Sequence, residues 1–129
     1  FGDPGVASAV QKDPIGLGYN NIAYDYDLRT KRPNPGILVL PIDVNNNGKI
    51  DAAENFYGTS TSLIKAIAEG KYPSPPARDL YLVAKGKPTN PVVVAFLKFV
   101  LTQGQQFTVP NGYIRLPKDK LNKGIAKLK

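Results

Sequence analysis

Proline and glycine interrupt this chain so often that no long element can form. Asp13-Pro14, Pro33-Asn34-Pro35-Gly36, the three prolines between Tyr72 and Ala77, and Asn90-Pro91 each break or cap their neighbours. The stretches between them must be short helices and short strands. Asp3-Pro4 reads as an N-cap with proline at the first helical position, and Val6, Ala7, Ala9 and Val10 supply the apolar side. Ile15, Leu17 and Tyr19 alternate with Gly16 and Gly18, the period of a strand with one bare face. Ile37 to Ile42 is an apolar run of strand length. Thr59 to Thr61 cap a helix carrying Leu63, Ile64 and Ile67, which Gly70 closes. Leu80 to Lys85 reads as another strand. Asn90-Pro91 then caps the most periodic helix, with Val93, Phe96, Leu97, Val100 and Leu101 on one face, ended by Gly104. Gly112 to Leu116 suits a short strand, and Leu121, Ile125 and Leu128 recur at helical spacing. Helices alternate with strands, so the expected fold class is α/β, built in layers.

The chain contains no Cys, His, Met or Trp, which removes thiol nucleophiles, His-based triads, Cys/His zinc sites and imidazole acid–base chemistry together. Asp25 and Asp27 alternate with Tyr24 and Tyr26, a pattern that reads as a half-buried segment with its acids in water rather than as a catalytic pair. No enzyme is expected. No run of eighteen apolar residues occurs, so the chain is expected not to span a membrane. Without methionine, a signal peptide or further domain ahead of Phe1 is expected.

The net charge of +7 favours anionic partners in general. Lys118, Lys120, Lys123, Lys127 and Lys129 face only Asp119 after Pro117 and read as the solvated side of a terminal helix. They lack interleaved aromatics or arginines, so a nucleic-acid partner is not expected.

The residues also resemble a family. Gly5-Val6-Ala7 through Val10, followed by Pro14-Ile15-Gly16-Leu17-Gly18-Tyr19, is similar to the helix and Gly-Ile-Gly-Tyr strand of periplasmic phosphate-binding proteins of phosphate ABC transporters. Ile67-Ala68-Glu69-Gly70-Lys71-Tyr72-Pro73 with Arg78-Asp79-Leu80-Tyr81 resembles that family's helix, return crossing and hinge strand. Phe96-Leu97-Lys98-Phe99-Val100-Leu101, Gly104-Gln105 and Gly112-Tyr113 resemble its closing helix and final turn. The resemblance implies a two-lobed fold. Residues 1–77 would end the second lobe and residues 78–129 would return to the first, with phosphate or a similar oxyanion held in the cleft. It also implies a membrane permease as partner and an exported protein, periplasmic or at the cell surface, with a lipid anchor or secretion signal ahead of Phe1. The family's anion-gripping motifs lie upstream of the matched residues, so no phosphate ligand is assigned here. Arg78, at the crossing, reads as a solvated or structural charge.

A separate motif stands on coordination chemistry. Asp43, Asn45, Asn47, Asp51 and Glu54 occupy positions 1, 3, 5, 9 and 12 of a twelve-residue loop, with Gly48 at position 6 and Ile50 at position 8. This is the EF-hand calcium-loop pattern. Asp43, Asn45 and Asn47 would ligate Ca2+ by side chain, Lys49 by its carbonyl, Asp51 directly or through water and Glu54 with both oxygens, in a structural role, with Ile50 pointing inward. A strand before Asp43 replaces the usual entering helix. A calcium-dependent extracellular interaction module without a transport role is the alternative function that follows from it.

Overall fold

The computed structural model describes residues 2–128. Five α-helices occur in chain order: α1 Gly2–Lys12, α2 Ile22–Asp25, α3 Ser60–Ala68, α4 Pro91–Leu101 and α5 Lys118–Ala126. Two 3-10 turns, Gln103–Phe107 and Val109–Asn111, join α4 to the last helix. The described residues contain no sheet. Their one β-bridge is antiparallel, between Tyr26 and Pro33.

This overturns the expected α/β class and the layered substrate-binding architecture implied by the resemblance: the described residues are 41% helical and 2% strand. The physical reason lies in what each element needs. A helix satisfies its backbone within itself, whereas a strand must find a neighbour. Residues 16–21, 37–43, 78–84 and 113–117, which include most of the stretches read as strands, are neither helix nor strand, and none is paired into a ladder; Ile15 and Gly112 lie in turns and Lys85 in a bend.

The helices follow from their ends. Thr59 caps α3, its Oγ1 accepting from Ser62 N–H at 3.1 Å. At the other end Gly70 takes φ of 71°. Lys71 N–H reaches Ala66 O at 2.8 Å and Gly70 N–H reaches Ile67 O at 3.1 Å, which satisfies the last carbonyls. Asn90 caps α4 through its side-chain oxygen, accepting from Val92 N–H at 2.9 Å.

The core is small and lies between α2 and α3. Tyr26, Tyr57, Leu63 and Ala66 are buried, and Ile22, Val39, Phe56, Ile67 and Tyr72 pack around the cluster. Tyr26 donates its buried hydroxyl to Tyr57 O at 2.7 Å. Phe56 stacks on Tyr57 with ring centroids 4.7 Å apart. Outside this cluster the apolar side chains are open: Ile15, Leu17, Leu38, Leu82, Val83, Val92 and Phe96 are all exposed. The accessible surface is 9555 Å². A compact monomer of 14.0 kDa exposes about 6,700 Å².

Candidate functional site

Loop 43–54 hangs from the core by one side chain. Glu54 is 7% exposed. Its Oε1 accepts from Val44 N–H at 2.9 Å and from Asn45 N–H at 3.1 Å, and its Oε2 from Asp51 N–H at 3.2 Å. A carboxylate taking three backbone donors closes the loop from its last position back to its start. Next to it, Tyr57 receives Ile42 N–H on its hydroxyl at 3.1 Å, fixing the chain where it enters the loop.

Within the loop, short side chains fold the backbone onto themselves. Asp43 Oδ1 accepts from Asn47 N–H at 3.2 Å and Oδ2 from Gly48 N–H at 2.7 Å. Asn45 Oδ1 accepts from Asn47 N–H at 3.0 Å, and Asn47 Oδ1 from Lys49 N–H at 2.8 Å. These are successive Asx turns. The left-handed backbone at Asn46, φ 58°, and Gly48, φ 78°, makes the reversal. Asn45 and Asn47 each donate from Nδ2 to Asp51 Oδ2, at 3.0 and 2.8 Å. The side chains of Asp43, Asn45, Asn47 and Asp51 are therefore tied into one turn, around the Lys49 backbone.

Three expectations are corrected. Among the described residues, no three Asp, Glu, His or Cys side chains are gathered as a metal-holding group. Asp43, Asp51 and Glu54 do not form such a group, so the calcium and metal-binding description of a ready-made centre fails. The reason is competition: each carboxylate takes the nearest N–H donors, and Glu54 is spent as a clasp. Ile50 is 37% exposed, not inward. Residues 37–43 enter the loop as unpaired extended chain rather than as a strand of a sheet. Sequence reading also missed Asn46, whose left-handed backbone was signalled by asparagine's tolerance of that region.

The other residues singled out stay apart from this loop. Tyr24 is 40% exposed while Tyr26 is buried. Burial, and then the negative Asp3, push the Asp25 carboxyl above its usual value. The amides of Thr30 and Arg29 hold Asp27 below its own. Arg78 is exposed. The side chains of Lys118, Lys120, Lys123 and Lys127 lie on an exposed surface, where Lys120 Nζ pairs with Asp79 at 2.5 Å; Lys129 is outside the described residues. A hollow of about 250 Å³ is lined by Ser62, Lys65 and Lys71, but both lysines are drawn to Glu69, at 3.8 and 2.7 Å. That pairing lowers the Glu69 pKa, Lys71 contributing most, and leaves little free positive charge for an anion.

Comparison with protein-family models, with curated proteins and with solved structures gives no match. No helix among the described residues is long and apolar enough to cross a membrane.

Proposed function

We propose that this chain is a non-catalytic binding component stapled by one Ca2+ at loop 43–54. The observation that carries this is the closure of Asp43, Asn45, Asn47 and Asp51 into a single turn, anchored by buried Glu54. The donor set is entirely oxygen, as a hard cation of this size requires. Rotation of the Asn45 and Asn47 amides, which now turn nitrogen toward Asp51, would present their oxygens. Asp43 and Asp51 supply the charge, the Lys49 carbonyl a neutral oxygen, and Glu54 either a ligand or the clasp that holds the loop. Modest affinity follows from so few charges, in the range of about 10⁻⁴ to 10⁻³ M typical of extracellular modules, or somewhat tighter.

The role that the order of family-like segments favours is solute uptake, as a component of an ABC importer that takes phosphate or a similar oxyanion and works with a membrane permease outside the cytosol. Deleting the gene should reduce radiolabelled phosphate uptake in phosphate-limited cells. Unchanged uptake would sink this role and leave the calcium-dependent interaction module. By itself this chain should not bind phosphate tightly, and a submicromolar dissociation constant in low-salt calorimetry would point to a ligand set within it.

A further inference from the structure

Residues 80–84 are extended, apolar and uncovered. Leu80, Tyr81, Leu82 and Val83 are 69%, 80%, 66% and 93% exposed. Among the described residues, no hydrogen bond joins a backbone group of 80–84 to another residue. Successive large apolar side chains on extended, unpaired backbone form an open strand edge, a template for pairing with another chain.

The surface of the whole molecule says how large the missing cover is. At 9555 Å² it exceeds that of a compact monomer by about 2,900 Å². One partner in a standard interface gives up only about 800 Å², and one in an obligate dimer about 1,000 to 2,500 Å². That surplus is spread over the surface, and Leu80 to Val83 is its run of four consecutive large apolar side chains.

We propose that residues 79–85 pair antiparallel with the same residues of a second copy, centred on Leu82. The charges set the register. With Leu82 opposite Leu82, Leu80 lies opposite Ala84, Tyr81 opposite Val83, and Asp79 opposite Lys85. The two-fold axis repeats that ion pair at the other end. A slip of one residue moves Asp79 opposite Gly86 or Ala84 and loses both pairs. A slip toward Lys87 is blocked, because the chain bends over residues 85–87, with φ of 74° at Gly86, which leaves Lys85 as the last residue able to pair. Aligned apolar centres and opposite charges at both ends are what a self-complementary strand needs. The pairing depends on neither the calcium loop nor the importer role.

The absence of cysteine makes the test clean. Leu82→Cys should give a disulfide-linked dimer with oxidised glutathione, because directly opposite residues lie within bridging distance. Leu80→Cys should not, since its opposite residue is Ala84. In sedimentation equilibrium the wild type should dimerise. Asp79→Lys should weaken the dimer about tenfold or more, and adding Lys85→Asp should restore it to within about threefold. Lys120→Ala should leave it unchanged, which separates the role of Asp79 across the dimer from its bond to Lys120 within the chain. A monomer at every concentration would overturn the proposal. So would equal linking by Leu80→Cys, or a double variant no better than the single.

Discussion

Glu54 holds three backbone N–H groups with one buried carboxylate, so its charge supports the loop whether or not a cation is bound. Glu54→Gln places an NH2 against those donors. It should cost about 1–3 kcal/mol and lower the melting temperature both with calcium and with chelator; an effect seen only with calcium would mean that the carboxylate acts as a ligand alone. Tyr26→Phe removes the donor from the buried Tyr57 carbonyl and should cost a similar ~1–3 kcal/mol in urea unfolding. Asp25 gives a pH signature. Burial and then Asp3 hold its folded pKa above the usual carboxylate value, so above that usual value the native state holds more protons than the unfolded one and stability falls as pH rises toward the raised value. Asp25→Asn should flatten that part of the melting-temperature profile and raise stability at neutral pH. At this scale the sequence was informative where a side chain caps a helix, as at Thr59 and Asn90. It misled where an acid could choose between a cation and an amide, as Glu54 does, and where an apolar residue had no core to enter, as with Ile50.

Elements formed where their ends carried local chemistry. Thr59 and Gly70 bracket α3 and Asn90 starts α4, as capping and periodicity place them, whereas α4 ends at Leu101 and Gly104 lies in the 3-10 turn that follows. Asn90→Ala should remove about 1 kcal/mol of helix stability, seen as lower helical ellipticity near the unfolding midpoint. Gly112 serves a different need. It has φ of 79°, and an added Cβ would sit 2.8 Å from Ala23 Cβ. Gly112→Ala should therefore destabilise the turn that seats the last segment against α2, by more than the roughly 1 kcal/mol of an ordinary Gly→Ala change in that backbone region. The strands read at Ile15 to Tyr19, Ile37 to Ile42 and Leu80 to Lys85 did not form: Ile15 lies in the turn after Asp13, Lys85 in a bend, and the rest of each stretch joins no ladder. Their sheet was not legible, because pairing depends on a neighbour that no local pattern specifies.

Across the whole molecule, one aromatic core around Tyr26 and Tyr57 supports a large open surface. The hollow beside α3 is internally ion-paired through Glu69 and Lys71, and a second is lined by Leu38, Val39 and Tyr57 without a charged side chain. The acidic loop is the part of that surface with a defined internal geometry, and a cation there would lock the entry to the core through Ile42 and Tyr57. Calorimetric titration of the wild-type chain with CaCl2, checked by melting with calcium and with chelator, tests this most directly. The account predicts one site, a dissociation constant of about 10⁻³ M or tighter, and a higher melting temperature with calcium. No binding heat and identical melting with calcium and with chelator would show loop 43–54 to be a polar turn and nothing more.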